Sequence, residues 1–255
     1  KLESEINAVG NPKCPQTLEE LSTTLLYLGF KRNLLAPGEA EVGFEIPRSI
    51  FDNSFDGYIS EMKFTKFVVD SASLIVSGRA SVVNLGQLST SDPLVTLLLD
   101  PKIVLMIGGF VTWALNTWKQ IEEIRSLRSK SAKINGLDEI TALLEKKVKE
   151  RIDIEIEKHA TELVSSQKAK GDHELTRRIE RTLRMLLQRV ERGYHVYIML
   201  PDKPEDEKIE RSKEEDSLFS KLFDLQHSLQ FPPANEDPML ALTSDLQEDE
   251  NKQEK

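Results

Sequence analysis

Cysteine, aromatic rings and long apolar runs are all scarce in this chain, and each shortage excludes something. Cys14 is the single cysteine among 255 residues. No internal disulfide framework can therefore hold the fold together, and a reducing compartment such as the cytoplasm is expected. Aromatic residues make up 6 % of the chain, so its basic stretches lack the interleaved rings on which nucleic-acid bases stack. The opening residues KLESEINAVGNPKCP have no apolar core of the kind a signal peptide needs. No Gly-rich phosphate loop, H-E-x-x-H, C-x-x-C or G-x-S-x-G occurs, which removes the common nucleotide, zinc, redox and serine-hydrolase signatures. No cofactor and no metal site are expected on these grounds.

The uninterrupted apolar run is Ile103 to Leu115, 13 residues. As a helix it would span about 20 Å, against about 30 Å of membrane hydrocarbon. Extending it upstream to Leu94 brings in Asp100 and Lys102, which cost about 2.5–3.5 kcal/mol each near a bilayer centre. Burial in a core or an oligomer interface is the expected fate. Membrane association is the alternative, because Trp113, Trp118 and the basic residues Lys119, Arg125, Arg128, Lys130 and Lys133 flank the run as interface anchors would. Asp92-Pro93 and Asp100-Pro101 repeat a helix-start signal, with Asp as N-cap and Pro in the first turn. They predict a short helix over 93–99 and a long one over 101–128. Gly108 and Gly109 cost helix propensity there and are expected to serve close packing.

Periodicity supplies the other elements. A flexible lead-in is expected over 1–16, then a helix from Thr17 to Phe30. Val42, Phe44 and Ile46 alternate as a strand closed by Pro47. A helix capped by Ser49 is expected to run to about Val69, with Phe51, Phe55, Tyr58, Ile59 and Met62 on one face. Residues 71–89 are read as strands. After the Asn135-Gly136 turn, a charged helix over 137–167 carries a seam at 140, 144, 148, 152, 156, 160 and 164. A second helix over 173–192 carries Leu175, Ile179, Leu183, Leu186 and Val190, and Gly193 stops it. Tyr194, Val196, Ile198 and Leu200 then alternate as a strand. The fold class that follows is α+β and helix-rich. It has a small sheet of a few strands, long helices with an antiparallel helical hairpin, and a mostly disordered acidic C-terminal tail. The domain reading is an α+β body over 17–134, the hairpin and strand over 137–201 packed on it, and the tail over 202–255.

Charge divides the chain at the same place. Residues 202–255 hold 16 acidic and 7 basic side chains, the whole of the net charge of −9, while residues 1–201 hold 27 of each sign. Within that acidic tail, an amphipathic helix over 217–231 is predicted, capped by Ser217 and stopped by Pro232-Pro233. Its apolar face is Leu218, Phe219, Leu222, Phe223, Leu225 and Leu229, with Met239, Leu240 and Leu242 as a weaker second anchor. An amphipathic helix on an acidic tether suits a groove, either on a partner or on its own body, and these residues are the expected partner-binding set.

Other constellations point to chemistry less directly. Between Lys168 and Arg192 there are eight basic and four acidic side chains. Arg177, Arg178, Arg181 and Arg184 offer bidentate forks for phosphate or carboxylate, which makes anion or nucleic-acid contact an alternative to a solvated, paired face. Asp52, Asp56, Glu61 and Lys63 faintly echo the carboxylate-lysine set of a metal-dependent nuclease, but helical spacing keeps them from converging. Asp153, Glu155 and Glu157 share a face only on a strand. His159, His173, His195 and His227 have no ligand spacing and are expected to be structural or solvated. The expectation is a non-enzymatic protein-interaction or assembly module acting through the apolar helix, the hairpin and the tail, with a protein partner or self-association. A membrane-associated accessory role, a nucleic-acid-binding regulator and an enzyme with an unrecognised site are the alternatives.

Overall fold

A computed structural model describes residues 39–88, 93–131, 138–166, 172–200, 212–234, 238 and 240–242. The expected lead-in, the helix over 17–30, the Asn135-Gly136 turn and most of the acidic linker and tail end lie outside these residues. Among the described residues, four strands form one antiparallel sheet in the order β2-β3-β1-β4: β1 Ala40–Glu45, β2 Asn84–Leu88, β3 Leu94–Leu99 and β4 His195–Met199. Five α-helices accompany it among the described residues: α1 Phe55–Ser77, α2 Pro101–Ser131, α3 Asp138–Ser166, α4 His173–Val190 and α5 Lys213–Ser228.

The register explains which side of the sheet is core. Val42 lies opposite Leu97 on one side and Ile198 on the other; Phe44 lies opposite Val95 and Val196. With Ala40 and Leu99 these side chains form a buried apolar face, as a period of two requires. The apolar face meets α2, and α1 and α4 pack around that helix. The other face carries Glu41, Glu45, Tyr197 and Met199.

Helix α2 is central among the described elements. Asp100 caps it as expected, accepting the Lys102 N–H at 2.7 Å. Ile103, Val104, Ile107, Phe110, Val111, Ala114 and Leu115 are all buried. The sheet, α1, α4 and α5 surround the apolar run, so an all-round apolar helix is satisfied by protein. Among the described residues, no helix is long and apolar enough to cross a membrane.

The expected hairpin is present as α3 packed on α4. Val148, Ile152, Ile156, Ala160 and Val164 of its first seam are buried, as are Ile179, Leu183, Leu186 and Val190 of the second. Asp172 caps α4 through the Leu175 N–H. Gly193, at φ 84°, turns the chain into β4.

Four expectations are corrected. Residues 94–99 form strand β3, not a short helix. The strand lies between β1 and β2, so both of its edges are paired and most of it is buried, and a short continuous apolar run is indistinguishable by period from helix. Pro93 is tolerated because it precedes the strand; its carbonyl accepts the Ile46 N–H. Second, Ser49 lies inside a short 3-10 turn, Arg48–Ile50. Asp52 and Asn53 then adopt left-handed φ values of 51° and 52°, and Ser54 caps α1 by accepting the Gly57 N–H. Third, α1 continues past Val69 to Ser77 and ends at Gly78, φ 71°. Ser71, Ser73 and Ser77 lie in this helix and donate their hydroxyls to carbonyls four residues back, which removes their competition with the backbone. The buried face is therefore Phe64, Val68, Ala72 and Ile75, while Phe55 is 78 % exposed. Fourth, the cap of α5 lies five residues earlier than expected, at Ser212 and not Ser217, and the helix ends at Ser228 and not at 231.

Candidate functional site

The described residues of the C-terminal arm, 212–234, 238 and 240–242, include several that lie against the body. The arm starts with a capping box. The Ser212 hydroxyl accepts the Glu215 N–H at 3.2 Å, and the Glu215 carboxylate accepts the Ser212 N–H at 2.9 Å. Glu214, Glu215 and Asp216 in the first turn match the positive end of the helix dipole. The helix thus has its own local reasons to form before it touches anything.

Its contact face is narrow. Leu222 is fully buried, and Leu225 and Leu229 are partly buried against the core cluster. Opposite Leu225, α2 presents Gly108. A Cβ at that position would sit 2.0 Å from Leu225 Cδ2 and 3.0 Å from Cγ. Carbon pairs are comfortable near 3.5–4.0 Å, so the glycine is the notch that admits Leu225. Its neighbour Gly109 is exposed, with nothing within 4 Å of a built Cβ. Of the expected partner-binding residues, Leu222, Leu225 and Leu229 face the body, and Leu218 and Phe219 are half-buried. Phe223 is 56 % exposed, its ring 4.3 Å from that of His227.

After α5 the arm runs past α4 and β4. Phe231 meets the His195 ring at 5.0 Å, and Pro232 is buried. Ala234 passes so close to Gly193 that a Cβ there would lie 2.7 Å from Ala234 Cβ and 3.2 Å from its Cα. Leu240 is then held by its main chain: its N–H donates to the Glu191 carboxylate at 3.0 Å, and its carbonyl accepts from Arg192 Nη2 at 2.6 Å. Glu191 is fully buried. Burial lowers the affinity of the Arg192 guanidinium for its proton, against the pull of Glu191.

Under Phe231 lies a polar cluster on β1 and β4. The Glu45 carboxylate accepts from the Tyr197 hydroxyl and faces His195 Nδ1 at 3.3 Å. His195 Nε2 is buried without a hydrogen-bond partner among the described residues. Burial, reinforced by the hydrogen bond and negative charge of Glu45, pushes the Tyr197 phenol up to about 12.

The arginines of α4 divide by depth. Arg189 is buried with Glu61 of α1 in a two-pronged ion pair, both bonds 2.7 Å, and its guanidinium lies 3.8 Å from the Phe64 ring centroid. Beside it, Tyr194 shares a 3.0 Å hydrogen bond with Thr65, and burial holds its phenol well above the ordinary value. Arg178 donates to Ser71 and lies over the Phe67 ring, with Arg181 on the same ring. Arg184 pairs with Asp153. Arg177 and Arg184 line a mixed-charge groove of about 650 Å³ between α3 and α4, with Asp153, Glu157, Glu180 and His173.

The nuclease-like set does not come together. Glu61 faces the core and is neutralised by Arg189, while Asp52, Asp56 and Lys63 are exposed. Among the described residues, no group of His, Cys, Asp and Glu is arranged to hold a metal. His159 stacks on Trp113 at 5.6 Å, and burial lowers its pKa. Sequence reasoning missed Glu191, Arg192 and the role of Gly193 beyond a helix stop. No spacing rule marks a side chain that receives main chain; only the adjacent opposite charges before a glycine could have hinted at it. In comparisons with known proteins, no family model, curated protein or solved structure matches this chain.

Proposed function

We propose that this chain is a protein-interaction module, working in the cytoplasm, whose groove on α2 and β4 takes up an amphipathic helix. Its own residues 212–242 are the resident ligand. The observation that carries this reading is the fit of Leu225 into the Gly108 notch. A glycine in mid-helix costs about 1 kcal/mol relative to alanine, and here the cost is offset by a contact only the arm makes. The arm is built as a ligand is built. It carries its own cap, a narrow apolar face and an exposed reverse side, and an acidic stretch joins it to β4. A tether of this length gives an effective concentration in the millimolar range, so the groove is normally filled in cis. A partner helix must bind more tightly than that, or meet the chain when the arm is weakened.

The test uses the full chain with a specific protease site replacing residues 204–210, folded first and then cleaved. A fluorescent peptide of residues 212–242 should exchange saturably into the nicked protein. An unrelated amphipathic helix with leucines at the positions of 218, 222, 225 and 229 should compete for the same place. Gly108→Leu should abolish both. An arm that leaves only when the whole body unfolds would overturn the reading.

A further inference from the structure

Beyond the helical groove lies a second, chemically different contact. Glu191 and Arg192 are adjacent residues of opposite charge at the end of α4, and both address a single residue of the arm. One accepts the Leu240 N–H and the other donates to the Leu240 carbonyl. Glu191 is fully buried and Arg192 half-buried. A buried carboxylate is costly unless it is satisfied by good hydrogen bonds, and a backbone N–H at 3.0 Å is one of them. Hydrogen bonds to ionised groups are the stronger kind. Both bonds go to groups that every non-proline residue owns, so the pair reads the course of a chain and not its side chains. Upstream, Gly193 lets the backbone at Ala234 approach, Pro232 is buried, and Phe231 lies on His195. Glycine is required at 193 twice over, by its φ of 84° and by the Ala234 contact.

We propose that Glu191, Arg192 and Gly193 form a main-chain clamp for a peptide segment that follows the helix, so that the ligand of this module is bipartite. Its first part is the amphipathic helix; its second is a proline-containing segment bearing an aromatic residue near the helix end and a leucine about nine residues beyond it. This rests on the reading of residues 212–242 as a resident ligand. The partner that fits is a protein carrying that helix and that segment in succession. Selectivity comes from the Phe231 and Pro232 contacts, and the clamp sets the direction and register of the chain.

The experiment compares two synthetic 212–242 peptides as competitors for the nicked full chain. One is unmodified; the other has an ester in place of the amide preceding Leu240, which deletes only the N–H. The ester peptide should bind roughly tenfold more weakly or worse, since hydrogen bonds to charged groups carry that weight. In a chain with Glu191→Ala the unmodified peptide should weaken by a similar factor, and the ester should then make no further difference. Equal binding of the two peptides to the unaltered chain, or undiminished discrimination in the Glu191→Ala chain, would overturn the clamp. If no peptide exchanges at all, the displaceable arm fails and the clamp is scored separately, in the intact chain. There, the Leu240 amide should resist hydrogen exchange and lose that protection in Glu191→Ala; an amide that exchanges freely in both would overturn it.

Discussion

Replacing Gly108 with alanine is expected to stabilise the helical body and loosen the arm at the same time. In the middle of α2 the substitution recovers about 1 kcal/mol of helix propensity. The new methyl, however, would lie 2.0 Å from Leu225 Cδ2 and 3.3 Å from Cδ1, so the leucine side chain must shift from its notch. Leu225 is only partly buried, so its contribution falls below the 1.5–3 kcal/mol of a fully buried leucine. A loss of about 1–2 kcal/mol in docking corresponds to a factor of 5–30 in the open population. Gly109→Ala is the control, because nothing lies near its Cβ; it should gain the propensity term alone. Trypsin cleavage after Lys221, an exposed residue of α5, reports the open arm when opening is fast relative to cleavage. Gly108→Ala should be cut 5–30 times faster than the parent chain, and Gly109→Ala no faster. Adding Leu225→Ala to Gly108→Ala should cost little more. Equal cleavage of the two glycine variants, with Gly108→Ala simply more heat-stable, would refute the notch.

Three further outcomes are expected. Removing either member of the Glu61–Arg189 pair, as in Glu61→Leu or Arg189→Met, should cost about 3–5 kcal/mol by stranding a buried charge; the double variant should lie closer to the parent, and additive losses in chemical denaturation would contradict this. Leu183→Ala or Leu186→Ala should each cost about 2–5 kcal/mol, as both are fully buried in the hairpin seam; an unchanged midpoint would show the seam is not core. Stability should be intact up to pH 10 and fall above it, because Tyr194 and Tyr197 ionise near 10 when unfolded but are raised in the fold, Tyr197 to about 12. Phenolate absorbance should then appear together with unfolding, and early ionisation of all four tyrosines in the folded chain would exclude it.

Much of the architecture was legible in the sequence where one periodicity held over many residues. The seams of α3 and α4 and the alternation in β1 and β4 belong to this kind. Legibility failed where two periods fit the same letters. LVTLLL is a strand because β1 and β2 flank it, and no feature within those six residues states that. At α1, serines that favour caps and turns lie inside a helix because each hydroxyl finds a carbonyl one turn back. The leucines of the arm were visible as a face, but the wall they meet was not. The notch at Gly108 and the clamp at Glu191 and Arg192 join residues more than forty positions apart, and a pattern confined to one segment cannot encode its counterpart. The arginines of α4 looked alike in sequence; depth alone separates Arg189, buried on Glu61, from Arg184 in the open groove.

Native-state hydrogen exchange, followed residue by residue in the intact chain at low denaturant, tests most directly whether the arm is a ligand or a piece of the core. The amides of Leu222, Phe223 and Leu225 should exchange through an opening distinctly less costly than that of Ile107 and Val111 in α2, with a smaller denaturant dependence. Exchange of both sets through one opening, with the same free energy and the same slope, would make α5 an ordinary core helix and contradict the account.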